Sequence, residues 1–183
     1  LQNILKSNSN AIKQINYHLN QICNFALLLL TPLLLYMEVS TQATLQLTTY
    51  ADYLGLSYRP DLRMVVLRWL RDASLPEMQI GHQAALYLAR HHAATHWFID
   101  VRRRLLVDNT HSSWVIDEFL PQAAALLPGS LRVAYLMSPN RQRTIDSRPE
   151  LQATFSRAQV PNLPYHTQAF MDEAAAINWL LEK

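Results

Sequence analysis

Glycine is scarce here: three in 183 residues, at Gly55, Gly81 and Gly129. That excludes the glycine-rich loops whose backbone amides close on a nucleotide's phosphates, and neither G-x-G-x-x-G nor G-x-S-x-G occurs. A lone cysteine, Cys23, excludes an internal disulfide framework and any multi-cysteine zinc site. Charge is thin as well, at 16 % of residues with a net +2, which argues against a nucleic-acid partner. What is abundant is apolar: half the residues are hydrophobic, enough for a sizeable core in one domain and too many for a disordered chain.

The composition breaks near Met37. Residues 1–36 contain no Asp, Glu or Arg, and Lys6 and Lys13 are their only charges, whereas the remainder carries every arginine and every acid. The first part ends in an apolar run, Phe25 to Tyr36, shorter than the about 20 residues a spanning helix needs. It reads as a signal-like segment with Thr41-Gln42-Ala43 as a cleavage site, as a membrane anchor, or as translated upstream sequence ahead of Met37. The Arg-free, Asn-rich composition favours the last. Residues 1–43 are therefore set apart from a domain at 44–183. A cytoplasmic protein is expected, exported or membrane-attached only if residues 1–36 belong to it.

Within the domain, Tyr53–Tyr58 and Met64–Leu70 are rich in aromatic and branched residues and flank the turn Arg59-Pro-Asp-Leu-Arg63, a hairpin pattern. Val65, Leu67 and Trp69 point one way and Arg68 the other. Ser74-Leu-Pro-Glu77 is a capping box opening a helix to about Ala94, with Ile80, Ala84 and Leu88 on its buried stripe. Trp97–Val101 reads as a central strand. A second helix starts near Thr110–Ser113, carries Val115, Ile116, Phe119 and Leu120 inward, and bends at Pro121. Leu131–Met137 is the next strand, Ser147-Arg-Pro-Glu150 a second cap for a helix through Phe155, Tyr165–Ala169 a last strand and Asp172–Leu181 a closing helix. The order β-β-α-β-α-β-α-β-α predicts an α/β fold, a mixed sheet of four to five strands packed by helices, with right-handed crossovers.

That order, the aromatic-flanked hairpin from Tyr58 to Trp69, Trp97-Phe-Ile-Asp100, Trp114 through Pro121 and Asp172–Leu180 resemble the STAS-like superfamily of anti-sigma-factor antagonists. The likeness, over roughly residues 45–183, is nearest to the bacterial STAS/SEC14 domain-containing branch. It implies a bacterial regulatory, protein-binding domain. It also implies a phosphorylatable serine at the start of the second helix, carried here by Ser112 or Ser113 with Thr110 close behind. The family's D-S-x-G context is incomplete, since no glycine follows. Without phosphate, a residue of this stretch caps the helix.

Two predicted loops collect arginines: Arg102, Arg103 and Arg104 after one strand, Arg141 and Arg143 after the next, with Arg148 in the first turn of the helix that follows. Both leave the carboxyl ends of parallel strands, where open α/β sheets gather ligands, so together they form a candidate site for an anion or an acidic partner. The competing reading is solvated loops paired to Asp100, Asp108 and Asp146. Removal of Arg102 together with Arg141 is the expected way to abolish binding. His92 and His96 have the i,i+4 spacing of a helical metal pair but no intervening acid, so no metal and no cofactor are expected. His82, His111 and His166 read as core-edge or loop residues. With no nucleophile motif present, the expectation is a non-enzymatic regulatory or interaction domain binding a protein partner or small anionic ligand. A carrier of a small apolar ligand or lipid is the alternative.

Overall fold

A computed structural model describes residues 48–182, which fall in one compact unit, Leu45–Lys183. The apolar run Phe25–Tyr36 and Cys23 lie outside the described residues. The chain is α/β, as its alternating pattern predicts. Six strands lie side by side in sequence order: β1 (Thr48–Ala51), β2 (Leu54–Arg59), β3 (Met64–Trp69), β4 (His96–Asp100), β5 (Leu131–Leu136) and β6 (Tyr165–Phe170). The first three pair antiparallel, and β3 to β6 run parallel. The sheet exceeds the expected four to five strands because Thr48–Ala51, too short to show a period, adds to the edge of β2 through a bulged register. The β2–β3 turn closes as expected, with Leu62 N–H donating to the Arg59 carbonyl, while Arg63 takes the left-handed region at φ 49°.

Strand parity divides the interior. Val65, Leu67, Trp69, Trp97, Ile99, Leu131 and Val133 face the larger core, and Met64, Val66, Phe98, Ala134 and Leu136 the smaller. The larger is covered by the crossover helices: α1 (Leu75–His91), α2 (Asn109–Ser113), a π-helical turn (Trp114–Phe119), α3 (Leu120–Leu126), α4 (Pro139–Asp146) and α5 (Pro149–Arg157). The smaller is covered by α6 (Glu173–Leu181) through Ala176 and Leu180. Strands laid down in sequence order with crossovers of one hand put every crossover on the same face.

The Ser74 capping box forms, with Ser74 N–H donating to Glu77 Oε2 at 2.8 Å and Ser74 Oγ accepting from Glu77 N–H. The helix it opens stops at His91, short of Ala94. Ala93 enters the left-handed region at φ 49°, and Ala94 N–H returns to the Ala89 carbonyl at 2.8 Å. Its buried face is turned from the expected stripe: Leu88 is buried and Ala84 half-buried as expected, but Ile80 is 53 % exposed, and Met78, Gly81, His82, Ala85 and Ala89 face the core. Gly81 explains the rotation. A Cβ there would stand 2.8 Å from Leu54 Cδ2 and 2.9 Å from Trp69 Cη2, so only glycine lets the helix lie this close to the sheet. Gly81→Ala gains helix propensity but overpacks this contact, and a net loss of about 1 kcal/mol is expected in urea denaturation.

Asp108 caps α2, accepting from His111 N–H at 2.9 Å. The chain widens ahead of Pro121. Leu120 N–H donates five residues back to Val115 in the π-helical turn, which makes room for a ring that would otherwise meet the Asp117 carbonyl. The helix α4 was not expected, because Pro139–Asp146 is polar and buries only Arg141 and Ile145. Its presence overturns the second cap: Ser147 ends α4, donating to the Thr144 carbonyl, and α5 starts after Arg148 without a side-chain cap. No helix among the described residues is long and apolar enough to cross a membrane.

Candidate functional site

A cavity of about 90 Å³ lies in the larger core at the carboxyl ends of the parallel strands, the position where sheets of this class hold ligands. Trp69 closes β3 there, Ile99 and Val101 β4, Tyr135 and Met137 β5. Strand parity aims Trp69, Ile99 and Tyr135 at it. Met78 and His82 of α1, His111 and Ser112 of α2, Val115 of the π turn, Phe155 of α5 and the guanidiniums of Arg104 and Arg141 also line it, as do the carboxylate-bearing Asp108 ahead of α2 and the polar Gln159, Thr167 and Gln168.

Both arginines are buried, at 7 % exposure each, and neither meets a carboxylate among the described residues. Arg104 stacks over the Trp69 ring at 5.4 Å, with Nη1 3.4 Å from Met78 Sδ and Nη2 3.3 Å from His111 Nδ1. Its Nε is buried without a partner. Arg141 Nη1 donates to the carbonyls of Arg104 and Leu106, at 3.3 and 3.0 Å, which pins the loop after β4 over the cavity. Burial lowers both guanidiniums, Arg141 to about 10 with Arg104's charge adding to the shift, so both stay charged at neutral pH. Asp72, which accepts from Leu106 N–H, opposes the shift of both arginines, and Asp108, which caps α2, opposes that of Arg104, each from beyond ion-pair distance. Two buried cations that touch no carboxylate are costly, and an anion in contact with both would offset that cost.

Other polar atoms of the wall are also unpartnered. His82 Nε2 and Trp69 Nε1 are buried with no hydrogen bond. His82 is not a core-edge residue; it is 2 % exposed amid Trp69, Trp114 and Phe119. Its Nδ1 lies 2.8 Å from the Met78 carbonyl, and burial drops its pKa to about 4, so the ring is neutral. Burial pushes the Tyr135 hydroxyl up, keeping it a donor, although the two arginines pull the other way.

The six arginines of the two predicted loops thus go separate ways: Arg102, Arg103 and Arg104 follow β4, Arg141 and Arg143 lie in α4 and Arg148 precedes α5, and of them Arg104 and Arg141 converge on the cavity. Arg102 binds Asp100, with Nη2 at 2.7 Å, as the paired-loop reading expects. That carboxylate also takes Arg68 Nη1 at 2.9 Å, and Arg68 reaches on to Glu173 of α6 at 2.7 Å. Burial alone would raise Asp100; hydrogen bonds from Arg102 outweigh it and hold the carboxyl below the usual range. Asp100→Ala strips this charged node, and a loss of about 2 kcal/mol is expected by thermal unfolding, without effect at the cavity. Arg103, Arg143 and Arg148 are exposed.

Among the phosphorylation candidates, Ser112 lines the cavity and donates to the Asp108 carbonyl at 2.9 Å. Ser113 Oγ accepts from Arg157 Nη2 at 3.3 Å, and Thr110 is exposed in the first turn. None of the three caps the helix; Asp108 does. His92 stacks on Tyr58 at 3.9 Å, and His96 opens β4, so the i,i+4 pair does not form. Among the described residues no three of His, Cys, Asp and Glu gather as metal ligands would.

The sequence pattern placed Trp69 inward but tied neither it nor His82 nor Tyr135 to a site. For Tyr135 the signal was present, since it shares parity with Leu131 and Val133. For His82 it was Gly81, whose missing side chain marks where α1 meets the sheet. No family model matches the chain, and no curated protein or solved structure matches it.

Proposed function

We propose that this is a non-enzymatic, STAS-like regulatory domain that recognises a small anionic ligand in the cavity beneath Arg104 and Arg141. The observation that carries the reading is the pair of buried guanidiniums with no carboxylate in contact with either, set in a largely apolar and aromatic wall in which Asp108 is the one acid. Guanidinium forks suit carboxylate or phosphate oxygens, and the low-dielectric surroundings strengthen the attraction. The alternating sheet and the closing helix are compatible with the STAS resemblance and supply the scaffold for such a site.

Calorimetry with acetate, butyrate and inorganic phosphate at low ionic strength tests it. One-to-one saturable binding of at least one of these anions is expected. Heats of dilution alone for all of them would remove the proposal. A cavity of about 90 Å³ is well under the roughly 300–1,000 Å³ of sites for larger ligands, which favours a compact anion over the acyl chain that a lipid carrier needs. A protein partner remains the second reading, supported by Leu105 and Leu106, which stand 72 % and 68 % exposed on the loop that Arg141 pins.

A further inference from the structure

Resting on that anion-binding reading, we infer that the ligand is a short-chain hydroxy acid: its carboxylate meets Arg104 and Arg141, and its hydroxyl donates to His82 Nε2. Four buried side-chain polar atoms lack a partner among the described residues. Three of them, Trp69 Nε1, His82 Nε2 and Arg104 Nε, belong to residues lining this one cavity. The fourth, His96 Nδ1, lies at the opposite end of β4. Unpartnered buried groups are rare, and the gathering of three such residues in one cavity wall points to something the protein itself does not supply.

The types of atom then define the ligand. Trp69 Nε1 and Arg104 Nε only donate, as do the free N–H groups of Arg141, so the wall asks for acceptors, and a carboxylate offers them without a proton of its own. His82 is the exception. The Met78 carbonyl accepts only, so the proton of the neutral imidazole sits on Nδ1 and Nε2 presents a bare lone pair. A ligand that satisfies the whole wall therefore carries a donor beside its acid group. The apolar remainder, Ile99, Val101, Met137, Val115 and Phe155, suits a short hydrocarbon body. A site that leaves a buried acceptor empty discriminates against the analogue lacking the hydroxyl.

The test compares butyrate with 2-hydroxybutyrate and 3-hydroxybutyrate by calorimetry on the full chain. At least one hydroxy acid is expected to bind tenfold or more tightly than butyrate. In His82→Phe, whose ring keeps the packing against Trp69, Trp114 and Phe119, that preference should shrink to under twofold. Equal binding of butyrate and both hydroxy acids by the wild-type protein would overturn the hydroxy-acid assignment and leave the anion site standing. A preference that survives in His82→Phe would overturn the role given to His82. Absence of binding by all of these acids and by phosphate would remove the anion site itself. The wild-type comparison decides the ligand class even if the variant fails to fold.

Discussion

Arg104→Met is expected to weaken anion binding at least 100-fold and, in the same protein, to raise stability by about 1 kcal/mol. The two effects share one cause. Arg104 is buried with Nε unpartnered, and its remaining contacts are a thioether, an imidazole nitrogen and the face of Trp69. None of these carries a compensating negative charge, so a methionine of similar length keeps the packing on Trp69 and sheds the cost of desolvating a cation. If the guanidinium were there for structure, its loss would destabilise the fold. If it is there for a ligand, the fold gains and binding fails, as at sites that give up stability for function. Arg141→Met should weaken binding comparably but differs in stability, because Arg141 also holds the carbonyls of Arg104 and Leu106. Urea denaturation and calorimetry on the same preparations separate the two effects. The earlier pairing of Arg102 with Arg141 gives way to Arg104 with Arg141, since Arg102 is engaged with Asp100.

Acid should destabilise the protein through His82, and His82→Phe should remove that component. Burial lowers the folded pKa of this imidazole from 6.5 to about 4. Its stabilising contribution relative to the unfolded chain is complete above pH 6.5. Between about pH 6.5 and 4 the unfolded chain binds a proton that the folded one refuses, so stability falls as pH falls through that window. Across it the group costs roughly 3 kcal/mol, at 1.36 kcal/mol for each pKa unit. His92 and His96, also lowered by burial, add to the slope with the same sign. The informative quantity is thus the difference between wild type and His82→Phe in urea denaturation at pH 7 and pH 4.5. The wild type should lose about 2 kcal/mol more than the variant. Parallel losses would mean that the ring is protonated in the folded state.

The parts of the fold that show in the sequence are those governed by period. Val65, Leu67 and Trp69 alternate with Arg68, and the sheet sorts them onto opposite faces. The Ser74–Glu77 box is local chemistry and forms as it reads. Misreadings arise where tertiary contact overrides local pattern. Ile80 has the spacing of a core residue, but Gly81 draws α1 onto Leu54 and Trp69 and turns Ile80 outward. Ser147 has a cap's neighbours, but α4 is already running when the chain arrives there. The site was half legible. The strand ends and their arginine loops are visible in sequence, whereas the choice of Arg104 and Arg141 depends on which side of β4 and β5 each side chain leaves. His82 needed the packing of α1 on the sheet before it could be placed in the cavity wall.

The most direct measurement is an NMR titration that follows the Nε–H signals of Arg104 and Arg141 and the indole N–H of Trp69 as butyrate or a hydroxybutyrate is added. All three should shift together along one saturating curve, while the exposed Arg103 and Arg157 stay still. Saturating acid that leaves those three signals unmoved, or that moves every arginine alike and without saturation, would contradict a built anion site at this end of the sheet.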